Sequence, residues 1–237
     1  MNIDIKKSKL GRNRRINTSE NETNKNKENN ITFDKDRLRL RNQAPNQAKN
    51  LIKNEIDRYC SDFYFDYKKI LDGGCFYYSE FFGELKDRTI FDKLKEELSD
   101  NKEFGMVKWN QHFKHENPDF SETFNEVIKK MTNHFNVEVY QTRLNYYNDG
   151  HDWKSFHHDS HKYGNKEEDF TMGASFGDTR DLVFLHEESG NRFNFEQTNN
   201  CVFCFNKEIN SKFKHGVPKT NLKIGPRFSV IAWGKKL

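Results

Sequence analysis

The sequence predicts an α+β fold, a double-stranded β-helix (jelly roll) with supporting N-terminal helices. Three observations predict it. Apolar residues recur at helical spacing before residue 136, a succession of short β-rich runs follows it, and turn signals separate those runs. The chain has 237 residues, enough for one ordinary domain with a tail. Hydrophobic residues make up only 33%, but 22 Phe, nine Tyr and three Trp supply a bulky core to the later part.

The leading segment is different in kind. Residues 1–50 hold thirteen Lys and Arg against six Asp and Glu, a local excess of +7 within a net charge of +4, so the remainder is slightly acidic. Asn, Lys, Glu, Ser and Thr dominate here without an apolar period. Residues 1–42 are therefore expected to be a disordered basic tail and residues 43–237 the folded domain. Such a tail can attract polyanions, nucleic acid among them. It can equally be a solubilising extension that reflects the heavy Asn and Lys usage of the whole chain.

No apolar run reaches the length of about 18 residues that a membrane span needs, so no membrane partner is expected. No apolar segment follows the first basic residues, which argues against a secretory signal. Four cysteines (Cys60, Cys75, Cys201 and Cys204) are too few for a disulfide framework, and an intracellular, reducing setting is expected. Cys201-Val202-Phe203-Cys204 has the spacing of redox and zinc sites. It lacks a second ligand pair and lies in a Phe-rich run, so buried strand cysteines are the favoured reading.

In chain order, Asn46–Cys60 after Pro45 reads as a helix and Asp62–Tyr67 as an aromatic strand. Gly73-Gly74 marks a turn before Cys75–Tyr78. Thr89–Leu98 reads as a second helix. The third, Ser121–Phe135, carries Phe124, Val127, Ile128, Met131 and Phe135 on one stripe, with Ser121 as its N-cap. Strands are expected at Val137–Tyr147, Leu182–Leu185, Phe193–Phe195, Cys201–Phe205 and Arg227–Trp233, with a turn at Ser189-Gly190-Asn191.

The chemistry concentrates in the strand-rich half. His157-His158-Asp159 offers an imidazole and a carboxylate two residues apart, positions that share one face of a strand. His215, in His215-Gly216-Val217-Pro218, offers a second imidazole from a distant strand. Two imidazoles and one carboxylate can hold Fe(II) on one face and leave the other open. Twelve residues after His215, Arg227 stands where a dicarboxylate cosubstrate needs a counter-charge.

Asn145-Tyr146-Tyr147, Gly150, His157-His158-Asp159, His215-Gly216-Val217 and Arg227, in this order, resemble the AlkB-like family of Fe(II)/2-oxoglutarate dioxygenases over roughly residues 137–237. The resemblance implies that His157, Asp159 and His215 are iron ligands and that Arg227 pairs with the distal carboxylate of 2-oxoglutarate. It also implies that Asn145 and Tyr147 hydrogen-bond the same cosubstrate. The implied activity is oxidative demethylation of alkylated DNA or RNA bases, with Tyr77, Tyr78 and Trp109 as candidate stacking surfaces.

One departure bears on this. Nucleic-acid demethylases of the family carry a second Arg six residues after the first, where this chain has Trp233. Arg227-Phe228-Ser229 also resembles the Arg-x-Ser element of other 2-oxoglutarate oxygenases, with Ser229 a further donor to the cosubstrate. The alternative is therefore hydroxylation of a protein side chain or small molecule. A non-catalytic barrel that retains the motifs is the reading from another class. His151, His158, His161 and His186 are expected at the surface or the pocket rim, and Arg180 at the pocket mouth or a strand start.

Overall fold

The computed structural model describes residues 74–100, 107–109, 111–160 and 166–237. The helix expected at Asn46–Cys60, the strand at Asp62–Tyr67, Cys60, His161 and the basic tail lie outside these residues. Eleven strands and three helices are described: β1 Cys75–Tyr78, α1 Thr89–Asp100, β2 Val107–Trp109, β3 His112–Glu116, α2 Glu122–Phe135, β4 Val137–Tyr147, β5 Lys154–His157, β6 Phe170–Gly177, β7 Arg180–His186, β8 Arg192–Gln197, β9 Cys201–Asn206, α3 Lys207–Lys212, β10 Phe213–Val217 and β11 Arg227–Lys236.

All pairings are antiparallel, in two sheets. The larger runs β1-β9-β6-β11-β4-β3-β2 and the smaller β5-β10-β7-β8. From β4 onward each successive strand or strand pair crosses to the other sheet. The eight strands β4 to β11 so interleave as the double-stranded jelly roll that the sequence predicts. β1, β2 and β3 extend the larger sheet at its two edges.

Strand periodicity divides the larger sheet into two working faces. On β11, Phe228, Val230 and Ala232 join a core that includes Phe91 and Leu94 of α1 and Phe124, Val127 and Met131 of α2. Arg227, Ser229, Ile231 and Trp233, the alternate residues, line a cavity on the opposite face. β4 and β6 divide the same way: Leu144, Met172, Ala174 and Phe176 meet the helices, while Arg143, Asn145, Tyr147, Thr171 and Gly173 face the cavity. A second core of Phe184, Phe193, Phe195, Phe203, Phe205 and Phe213 fills the space between the sheets.

α2 begins as expected. Ser121 is extended, and its hydroxyl accepts from the Phe124 N–H at 3.0 Å. Asn136 ends the helix in the left-handed region, φ 53°.

The expected strands are present, each extended by one to three residues at one or both ends except β4, which matches. Four elements were not expected, the three-residue β2 among them. β3 carries polar residues on both faces, β6 contains Gly173, Ala174 and Ser175, which dilute its alternation, and α3 is only six residues long. Cys75, Cys201 and Cys204 are free and buried. Cys201 and Cys204, three residues apart on β9, belong to the two different cores, so the pair does not converge on a metal. Tyr77 is buried, with its hydroxyl 3.1 Å from that of Thr198, and is core rather than a stacking surface. Tyr78 packs against Phe81, His134 and Phe135. The Trp109 side chain is outside the described residues. Among those residues no helix is long and apolar enough to cross a membrane.

Met131, fully buried between α2 and the larger sheet, sets a stability test away from the cavity. Met131→Ala should lower the unfolding free energy by about 2–5 kcal/mol in urea titration.

Candidate metal centre and anion pocket

β5 and β10 are neighbours in the smaller sheet, with His157 directly opposite His215. Gly216 permits the approach, since a Cβ there would meet the Lys154 carbonyl at 2.8 Å. The two imidazole rings lie 4.4 Å apart, centre to centre. Each Nε2 is 3.5 Å from the same atom, Asp159 Oδ1. The three ligand atoms fall within 4.8 Å of one another.

The sequence expectation that His157 and Asp159 share a strand face is corrected here. β5 ends at His157, and Asp159 lies beyond it. Its position is set by other elements. The Asp159 N–H donates to Asn210 Oδ1 at 2.8 Å, and Asn210 Nδ2 donates back to the Asp159 carbonyl at 2.9 Å. Oδ2 accepts from Trp233 Nε1 at 2.9 Å and from the Thr171 hydroxyl at 3.2 Å. One carboxylate oxygen is thus tied to the larger sheet and the other is turned to the histidines.

The Asp159 side chain is 4% exposed. Burial alone would raise its pKa. The His215 imidazole and the hydrogen bonds from His157, His215 and Trp233 outweigh burial and hold it well below the usual carboxylate range. His157 Nδ1 is 2.9 Å from the Ser155 carbonyl. A carbonyl only accepts, so Nδ1 carries a proton, and Nε2, on the Asp159 side, is the nitrogen that a metal would use. His215 Nδ1 is buried without a partner among the described residues.

Arg227 lies in the same cavity, which encloses about 660 Å³ counting its mouth. The residue is 3% exposed. Its Nε donates to Ser175 Oγ at 2.8 Å, while Nη1 is buried and unpartnered. No carboxylate among the described residues lies within ion-pair distance of it. Burial pushes its pKa down, opposed by neighbouring Tyr147. Arginine stays protonated in proteins, so this is a buried cation that lacks an anion.

Tyr147 is register partner to Arg227, and Asn145 to Ser229. The guanidinium sits 5.3 Å from the Tyr147 ring centre. All four sequence-predicted residues (Arg227, Asn145, Tyr147 and Ser229) line the cavity that also holds His157, Asp159 and His215.

Other candidates fall elsewhere. Arg180 begins β7, one of the two places expected for it; it is buried, and its guanidinium donates to the carbonyls of Asp149, Asp152 and Pro218 at 2.7–2.9 Å, tying loops together. His158 bonds the Asn210 carbonyl and Glu187, and His151 is exposed. His186 is buried, 3.0 Å from the Ser189 hydroxyl, rather than at the surface or rim.

Sequence reasoning missed Thr171, Asn210 and His112. His112 stacks on Tyr147 at 5.0 Å, with Nε2 3.3 Å from Asn145 Oδ1 and Nδ1 3.2 Å from the Trp153 carbonyl. No local motif marks it. Only the pairing of β3 with β4 brings it there. Burial, helped by Lys154, lowers its pKa to about 4.

No protein-family profile and no curated protein matches the chain. Among solved structures it is similar to a Pseudomonas putida prolyl-4-hydroxylase, with 13% identity, 80% of this chain and 99% of that one covered, and a TM-score of 0.47. It is also similar to an oxidoreductase of the 2OG-Fe(II) oxygenase family from Burkholderia pseudomallei, with 12% identity, 70% and 86% covered, and a TM-score of 0.48.

Two predictions follow from this geometry. Trp233→Phe removes the indole N–H from Asp159, and affinity for a divalent metal, read by Mn(II) titration, should fall about 10–100-fold. His112 is neutral when folded and takes a proton more readily when unfolded. The stability this gives is therefore present above about pH 6.5 and is lost as pH falls towards about 4. Between pH 7 and pH 5 the wild type should lose about 2 kcal/mol more than His112→Gln in chemical denaturation.

Proposed function

We propose that the chain is an Fe(II)- and 2-oxoglutarate-dependent oxygenase, with His157, Asp159 and His215 holding the metal and residues 43–237 forming the catalytic domain. One observation carries this reading. A buried, unpaired Arg227 with a free N–H shares a cavity with two imidazoles and a carboxylate aimed at one point. An arginine fork suits a carboxylate, and a set of two imidazoles and one carboxylate suits Fe(II) while leaving positions open.

Iron with 2-oxoglutarate and oxygen supplies oxidation of a substrate C–H bond, coupled to conversion of 2-oxoglutarate into succinate and carbon dioxide. The residues of the chain do the rest. Arg227 receives the distal carboxylate of the cosubstrate, and Ser229, Asn145 and Tyr147 flank its path to the metal. Trp233 and Thr171 hold Oδ2 of Asp159, which leaves Oδ1 as the oxygen that would ligate a metal. The Phe203 and Phe205 rings exclude water from one wall.

For the substrate, the AlkB-like motif order supports oxidation of an N-methyl group on a nucleic-acid base. The hydroxylated methyl then leaves as formaldehyde, and the basic tail supplies affinity for phosphates. Hydroxylation of a protein side chain or small molecule is the second reading. Trp233 at the place of the second Arg and the burial of Tyr77 favour it.

Anaerobic addition of Fe(II) and 2-oxoglutarate should give a visible metal-to-ligand charge-transfer band, absent in His157→Ala. In Arg227→Met the half-saturating 2-oxoglutarate concentration should rise at least about tenfold. A wild-type protein without the band contradicts the oxygenase reading. Formaldehyde release from methylated oligonucleotides selects the demethylase, and its absence selects the second reading.

A further inference from the structure

Beside the metal cavity lies a second one, lined by Gln111, Trp153, Lys154 and Ser155. Lys154 belongs to both. The Trp153 N–H donates to the Gln111 carbonyl at 3.2 Å in an isolated bridge, which ties the residue before β5 to the residue before β3.

Two groups here lack partners. Trp153 Nε1 is buried with none, and the Lys154 ammonium has neither an ion pair nor a hydrogen bond among the described residues. Other cations nearby are already satisfied, since Lys114 and Arg143 both pair with Glu116, at 2.8 and 2.9 Å. Burial lowers the Lys154 pKa, and Arg143 lowers it further, while Asp159 acts the other way. An indole N–H and an ammonium are donors only. A group in this cavity that reaches either donor must therefore supply acceptors, and a formal negative charge satisfies the ammonium best.

We propose that Lys154 and Trp153 form a subsite that receives an anionic group of the substrate, a carboxylate or a phosphate, beside the metal pocket. That the occupant is substrate rests on the oxygenase reading. That an anion binds there does not. Lys154 lies three residues from His157 on β5, so an anion held at this point leaves the rest of the molecule in reach of the metal cavity.

The test uses the full chain without metal and two probes, inorganic phosphate and acetate, titrated by calorimetry. Lys154→Met keeps most of the side-chain volume, and Lys154→Arg keeps the charge. Lys154→Met should weaken binding of at least one probe about tenfold or more, with Lys154→Arg within about threefold of wild type. The probe that loses affinity identifies the group. Circular dichroism and the thermal midpoint report whether each variant is folded. If Lys154→Met does not fold, Trp153→Phe, which removes the indole donor, takes its place with the same expectation. Unchanged binding of both probes in the folded variant overturns the proposal. So does a loss of 2-oxoglutarate affinity in Lys154→Met as large as that in Arg227→Met, which would make Lys154 part of the cosubstrate site. Because the phosphate and acetate titrations need no iron, their failure is distinct from loss of the charge-transfer band.

Discussion

A carboxylate only 4% exposed can persist in its charged form only where several donors surround it, because water no longer does so. At Asp159 those donors come from both sheets, while α3 holds the main chain. Trp233 and Thr171 reach one oxygen from β11 and β6, the two histidines approach the other from β5 and β10, and Asn210 fixes the backbone. The loop after β5 therefore has its position dictated by the whole barrel, and the meeting of His157, Asp159 and His215 is a consequence of how the sheets close on one another.

β11 shows how a single strand serves both core and site. Its even-numbered residues Phe228, Val230 and Ala232 bind the helices, and the odd-numbered Arg227, Ser229, Ile231 and Trp233 face the cavity. The strand carries the counter-charge for an anion at one end and the orienting donor for the Asp159 carboxylate at the other. A one-residue slip of its register against β4 would exchange these faces and put four site residues into the helix-packed core. The long antiparallel pairing, with a bulge only at Trp233/Gly234, holds that register over the residues that face the site.

Much of this was legible in the sequence, for identifiable reasons. β4, β9 and β11 are long or bulky enough for periodicity to show, and α2 carries both its stripe and its cap. The seven site residues named from the sequence, His157, Asp159, His215, Arg227, Asn145, Tyr147 and Ser229, all line one cavity. β6 is hidden because its cavity-facing residues Thr171 and Gly173 supply no bulky alternation. Asp159 was placed on a strand because spacing alone cannot tell a strand from the loop that follows it. Thr171, Asn210 and His112 were invisible because their importance comes from pairing across the fold. Trp233 stood out only as a departure, and its hydrogen bond to Asp159 shows what that position does in this chain.

The proposed site would hold one metal ion between His157, Asp159 and His215 and a dicarboxylate that reaches Arg227. Anomalous diffraction from crystals grown anaerobically with Mn(II) and 2-oxoglutarate measures this directly. The account predicts a single manganese peak touching His157 Nε2, His215 Nε2 and Asp159 Oδ1, with the far carboxylate of the cosubstrate on the Arg227 guanidinium. A manganese peak elsewhere, or a cosubstrate whose carboxylate avoids Arg227, would contradict it.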